Sequence, residues 1–133
     1  FSRQPIPAGA FILQFQGWLA PTAHLCEDWL AMQVGPDLWL CSHGDLLDDC
    51  ANHSCAPNAG FTPGKPILHA LSDIPAGAEI TWDYSTSIAE TGWELHCRCG
   101  AAGCRGVIRS WGELAEAERN RLRPWALNFL RTA

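Results

Sequence analysis

Three cysteines crowd into Cys97-Arg-Cys99-Gly-Ala-Ala-Gly-Cys104-Arg-Gly, and this run constrains the fold more than any other feature of the chain. Two cysteines one residue apart are badly placed to bond each other, while a glycine-rich spacer lets all three sulfurs turn toward one point. Zinc takes four ligands in a tetrahedral array and keeps thiolates deprotonated. The run therefore predicts a metal corner that draws a fourth ligand from elsewhere. Cys55, Cys26, Cys41, Cys50, His96 and His53 are the candidates, and spacing alone does not choose among them, although Cys55 stands in a polar, turn-rich stretch beside Pro57. Seven cysteines is an odd count, clustered rather than spread, which argues against a disulfide scaffold and for a reducing, intracellular compartment. Cys26, Cys41 and Cys50 are expected to be buried as small hydrophobic residues.

A chain of 133 residues fits one domain. With 47% hydrophobic residues it can build a core, yet no apolar run reaches the length of a membrane span. The first residue is Phe, so the sequence reads as a fragment with residues missing upstream. The net charge of −5, with no basic cluster ahead of the C-terminal tail, disfavours direct binding of nucleic acid and suits a basic polypeptide partner.

Pro and Gly divide the chain into short pieces. Residues 12–15, 29–34, 38–41, 67–71 and 79–82 read as strands, separated by turn signals such as Gly35-Pro36-Asp37 and Pro63-Gly64-Lys65. This predicts a mainly β fold of several small sheets. Ile6-Pro-Ala-Gly-Ala-Phe-Ile12 and Ile74-Pro-Ala-Gly-Ala-Glu-Ile80 differ at one position in seven and predict two similar turn-plus-strand corners. Helix is expected only at the end: Ser110-Trp-Gly-Glu113 has capping-box spacing ahead of residues 114–122, and Pro124 ends that helix. Leu114, Leu122, Trp125, Leu127, Phe129 and Leu130 are expected to cover the edge of the fold.

Two further segments carry chemistry. Asn52-His-Ser-Cys-Ala-Pro-Asn58 is a dense polar run that needs partners if buried. It reads either as a turn or as the wall of a polar pocket. Glu79-Ile-Thr-Trp-Asp-Tyr84 is a strand ending in the only tyrosine of the chain.

Taken in order, these segments resemble the signature of SET-domain protein-lysine methyltransferases: Asn-His-Ser-Cys-x-Pro-Asn, a strand ending Asp-Tyr, then a post-SET Cys-x-Cys-Gly-x3-Cys-Arg-Gly. The stretch Ile6 to Gly17 is similar to the early strand pair that ends Tyr-x-Gly in that family, and the likeness, which extends to short stand-alone bacterial SET proteins, runs to about Arg109. The resemblance implies a SET-type β-clip with a pseudoknot-like threading: a SET domain over residues 1–95 that starts truncated, a zinc-bound post-SET segment over 96–109, and a helical extension over 110–133. It implies methyl transfer from S-adenosylmethionine to lysine in a protein substrate. Asn52, His53, Tyr84 and Ile108 would then bind the donor, with Tyr84 also catalytic. Phe15 and Trp82 would line the lysine channel, and Cys55, Cys97, Cys99 and Cys104 would hold one structural zinc. It would act in the cytoplasm if the source is bacterial, with no membrane.

The chain departs from the family in three ways. The donor-contacting Gly-x-Gly loop would lie just upstream of Phe1. Phe15 stands where the early motif has tyrosine. Trp82 replaces a Phe or Tyr that governs how many methyl groups are added. A catalytically weak, SET-like peptide-binding module is the alternative, favoured by Phe15 and the absent glycine loop and opposed by Asn52, His53 and Tyr84. A zinc-binding nucleic-acid module fits the thiols but not the charge.

Overall fold

A computed structural model describes residues 1–132. Ten short strands form four small sheets. Strands β1 (Phe11–Gln14), β7 (Ile67–Ala70) and β6 (Ala59–Gly60) make one antiparallel sheet, with a bulge in β1 between Phe11 and Leu13. Strands β2 (Trp18–Ala20), β4 (Leu38–Ser42) and β3 (Leu30–Gly35) make a second. The two-stranded sheets pair β9 (Glu94–His96) with β10 (Val107–Arg109), and β5 (Asn52–His53) with β8 (Thr81–Trp82). The five strands expected from sequence are present with shifted ends, the last shortened to Thr81–Trp82. The other five, of two or three residues each, escaped the reading because such short pairings carry no periodicity to detect.

The β5–β8 pair is parallel, with Asn52 opposite Thr81 and His53 opposite Trp82. Parallel neighbours need a long connection, and residues 54–80 supply it. The two polar motifs thus lie side by side and end together. Asn58 staples them across that connection: its side-chain Nδ2 donates to Glu79 O (2.8 Å) while its Oδ1 accepts from Thr81 N–H (2.9 Å).

The two Pro-Ala-Gly corners do more than resemble each other. Ile6 and Ile74 exchange both backbone hydrogen bonds at 2.8 Å, and Gly9 and Gly77 take nearly equal positive φ of 82° and 83°. Their partners match as well: Gly9 donates to Ala70 O and Gly77 to Ser2 O, each offset by the same register. Gly17 is demanded by space, since its φ is +139° and a Cβ there would lie 1.9 Å from Cys41 O. The chain can pass β4 only with no side chain at that point.

Phe15, Met32, Ala59, Phe61, Leu68, Trp82 and Leu127 form the principal core. Leu127 belongs to the tail that was expected only to cover an edge. The tail is in fact stitched into the sheets: Leu127 N–H donates to Thr86 O, Phe61 N–H to Trp125 O and Asn128 N–H to Gly64 O. Its helices also differ from expectation. Ser110 opens a 3-10 turn at Trp111–Glu113, and its Oγ donates to the Glu113 carboxylate (2.7 Å) instead of capping backbone N–H groups. Helix α1 (Glu116–Leu122) starts two residues later without a side-chain cap, and α2 (Asn128–Arg131) follows a 3-10 turn at Pro124. Of the three cysteines expected to be buried, only Cys41 is; Cys26 and Cys50 are exposed.

Candidate functional site

Strand pairing of β9 with β10 folds the chain back on itself, so that Cys97 and Cys99 at one end face Cys104 at the other. The end of β5 delivers Cys55 to the same place. All four Sγ atoms lie within 4.8 Å of one another. Tetrahedral zinc with sulfur at 2.3 Å puts its ligands about 3.8 Å apart; Cys55 Sγ is 3.8 Å from Cys97 Sγ, which is 3.7 Å from Cys104 Sγ. The surroundings fit a metal too. Burial pushes the Cys55 thiol up to about 12 and raises Cys97, so thiolates there require a cation to offset the lost hydration. Cys99 is brought down to about 6 by the backbone N–H groups of Cys55 and Ala101. Arg105 N–H points at Cys55 Sγ (3.4 Å) and His53 Nε2 lies 3.3 Å from it, the kind of outer donors that orient metal-bound sulfur. These four thiols fit one structural zinc.

Tyr84 packs against this corner together with Trp93. Its N–H donates to His53 Nδ1 (3.1 Å) and its hydroxyl to Ala51 O (3.1 Å). With Nδ1 accepting, Nε2 carries the proton, and burial holds His53 below its ordinary pKa, in the neutral form. Burial, then the Glu79 charge, raises the Tyr84 pKa, so the phenol is a neutral donor.

Two cavities meet at Ala51. The first, of about 400 Å³, is bounded by Phe15, Trp39, Trp82, Tyr84 and Trp93 and carries the carboxylates of Asp48, Asp49 and Glu90, with no basic side chain. Asp48 is anchored by Gln16 N–H (2.9 Å), and Asp49 by Leu46 N–H and Ser42 Oγ. The second, of about 500 Å³, is bounded by Phe1 to Gln4, Ile12, Leu13, Cys50, Asn52, Glu79 and Ile80. Phe15, Trp82 and Tyr84 thus share the first cavity and Asn52 faces the second, its amide donating to Glu79 (2.8 Å). Ile108 borders neither; it is buried with Cys55 and Cys97 behind Tyr84.

Sequence reasoning passed over Asp83 and Arg105. Asp83 is 1% exposed, and both its oxygens are gripped by Arg105 (2.7 and 2.9 Å). Their signal was present: an acid between Trp82 and Tyr84 and an arginine directly after the last cysteine, each in a segment already marked out.

A β protein of small sheets, with a four-thiol corner packed on a tyrosine that lines one of two cavities meeting at Ala51, is the architecture of one class of domain. The SET domain family model matches residues 1–85, and the chain belongs to that family. It is 28% identical over 124 residues to histone-lysine N-methyltransferase ash1 of Drosophila melanogaster, covering 80% of this chain and 6% of that protein. It is 37% identical over 69 residues to an H3 lysine-4 specific histone-lysine N-methyltransferase of Debaryomyces hansenii, covering 47% of this chain and 6% of the relative. Among solved structures, KRYPTONITE in complex with mCHG DNA and SAH superposes with a TM-score of 0.66 at 25% identity, over 80% of this chain and 26% of that one. The chain thus spans a small part of each of these proteins.

Proposed function

We propose that this chain transfers a methyl group from S-adenosylmethionine to the side-chain amine of a lysine in a protein or peptide substrate. The observation that carries this reading is the pair of cavities meeting at Ala51, under the Tyr84 hydroxyl. One cavity is aromatic and acidic, as a lysine acceptor requires; the other has the volume of a small-molecule site (roughly 300–1,000 Å³) and a polar wall at Asn52. Both the ash1 relative and the H3 lysine-4 specific relative are histone-lysine methyltransferases by name, which supports the same assignment.

Asp48, Asp49 and Glu90 attract the ammonium into the first cavity. The amine must then release its proton to solvent water, against a reference pKa near 10.4; the aromatic walls of Phe15, Trp82 and Tyr84 and the positive sulfur of the donor disfavour the charged form. The bound donor supplies a methyl carbon on a positive sulfur, so that an N–C bond forms as the C–S bond breaks and the electron pair passes to sulfur. Tyr84, neutral and fixed to Ala51 O, holds the amine's approach in one direction, and the packed aromatics exclude water; alignment and exclusion are the protein's contributions. Asn52 serves the donor side, beside Glu79. His53 supports Tyr84 and Cys55 instead of contacting the donor directly, and Ile108 backs the tyrosine. Zinc on Cys55, Cys97, Cys99 and Cys104 would supply cross-linking alone, since four thiolates leave no coordination position open.

Trp82 is wedged between Phe15 (ring centroids 5.6 Å), Phe61 (5.1 Å) and Tyr84 (4.7 Å). Held on three sides, it narrows the channel and favours mono- or dimethylation. The free thiols suit a reducing, intracellular compartment, and no described helix is long and apolar enough to cross a membrane. Phe15 lacks a hydroxyl, which favours the second reading, a peptide-binding module without turnover.

The test is incubation of the chain with labelled S-adenosylmethionine and lysine-bearing basic peptides. Label on peptide lysine, lost when the acceptor lysine is replaced by arginine, supports transfer; peptide binding with no label in the presence of bound donor selects the module. A Lys65→Arg variant removes the one lysine of the chain itself as a source of signal.

A further inference from the structure

Arg105 sits where the thiol corner and the tyrosine turn come closest. Its backbone N–H faces Cys55 Sγ (3.4 Å), while its guanidinium turns the other way. Nη1 and Nη2 donate to the two oxygens of Asp83 (2.7 and 2.9 Å), Nη2 also to Ser85 Oγ (3.2 Å), and Nη1 to Glu118 Oε1 (3.0 Å). A bidentate fork fixes direction as well as distance, which a single ammonium cannot do. Asp83 is the residue between Trp82 and Tyr84, and its Oδ1 also accepts from Ser85 N–H, starting the turn that carries Tyr84.

Helix α1 completes the arrangement. Glu118 pairs with Arg105 and with Arg121, and Arg121 Nη2 returns to Cys55 O (3.3 Å). The contacts form a closed ring from Cys55 through Arg105, Glu118 and Arg121, with Asp83 as its branch toward the tyrosine. Arg105 Nε is buried with no partner, so the guanidinium is held at a cost. A buried pair of this kind is a poor source of stability compared with apolar packing, and geometry is the better account of its placement.

We propose that Arg105 is a positioning residue for methyl transfer: through Asp83 it sets Trp82 and Tyr84 against the thiol corner, and Glu118 of α1 keeps its fork in register. The proposal rests on the reading of the chain as a methyltransferase. It gives the C-terminal helix a part in the site.

The experiment uses the full zinc-loaded chain and two variants that keep the fold's charges or shapes. Arg105→Lys retains the cation and the backbone N–H to Cys55 but loses the fork; Glu118→Gln loses the charge behind it. Three readouts are taken: kcat and KM for a lysine peptide, the rate of zinc release to a chromophoric chelator, and the NMR ring signals of Tyr84, the only tyrosine. Expected for Arg105→Lys is a kcat at least tenfold lower, with KM and zinc release within twofold of wild type and shifted Tyr84 signals. Glu118→Gln is expected to lower kcat about threefold with the same zinc release. A wild-type kcat in Arg105→Lys overturns the proposal, as does zinc release that accelerates in step with the loss of kcat, because that marks a merely structural role. Should the wild type transfer no methyl group, the functional reading fails, and the Tyr84 signals decide alone: shifted at unchanged zinc release they support positioning, unshifted they refute it.

Discussion

The thiol corner packs on Tyr84, and the cavity pair meets at Ala51, where the tyrosine hydroxyl is held; the two regions are built by different rules. The corner uses four side chains of one type whose atoms must sit within a few ångströms of each other. Three of them come from one short run, so local spacing specifies most of the geometry. The cavities are shapes, bounded by residues drawn from Phe1 to Leu95 that share no spacing and no single chemistry. A metal centre concentrates its information in few residues; a cavity disperses it over the fold. The two regions should therefore answer differently to mutation, the corner steeply and the cavities by degrees.

The steepest response is expected for Cys55→Ser. Structural zinc in small domains contributes about 10 kcal/mol or more of folding free energy, so the variant should lose metal and the docked tail together, seen as loss of zinc on elemental analysis and a collapsed thermal transition. Next comes Asp83→Ala, which strips the Arg105 guanidinium of its buried bidentate partner and leaves it only the single contact to Glu118 among acids; a loss of about 3 kcal/mol is expected, measured by the denaturant midpoint. If it proves neutral, the corner and the tyrosine turn are not mechanically joined.

Tyr84→Phe tests the boundary between the regions. Losing the hydrogen bond to Ala51 should cost about 1 kcal/mol of stability and lower kcat by about tenfold or more. Its pH dependence has a definite sign. The fold raises the Tyr84 pKa above its ordinary 10.0, through burial and then Glu79. Its contribution is fully present below pH 10 and is lost as pH rises through the folded-state value. Denaturation curves of wild type should therefore fall on the alkaline side more than those of Tyr84→Phe. The mildest change is Trp82→Phe in the first cavity, which should leave stability within about 2 kcal/mol, volume loss in a packed core being the cause, and shift peptide products toward trimethyl-lysine on mass spectrometry. Abundant trimethyl-lysine from the wild type would contradict the narrowing role of Trp82.

How much was legible follows the same division. The cysteine run, the Asn52–Asn58 motif and the strand ending at Tyr84 each announce themselves locally, and their meeting in space agrees with their order in sequence. The short pairings β5–β8 and β9–β10, which do the positioning, were invisible because two or three residues show no alternation. The polar run that ends at Asn58 reads either as a turn or as a pocket wall, whereas the Asn58 side chain bridges to residues 79 and 81, a partnership that only folding creates. The tail misled for a related reason. An apolar helix face shows that something is covered, and Leu127 had no way to declare that it enters the core beside Phe15 and Trp82. Asp48 and Asp49 hold the loop ahead of Asn52 and also face the first cavity, a second role that no local pattern encodes.

The most direct test of the joined corner is X-ray absorption at the zinc edge on purified protein. One zinc per chain with four sulfur neighbours at about 2.3 Å is the predicted result. A shell containing nitrogen or oxygen, or protein that folds fully without metal, would contradict it.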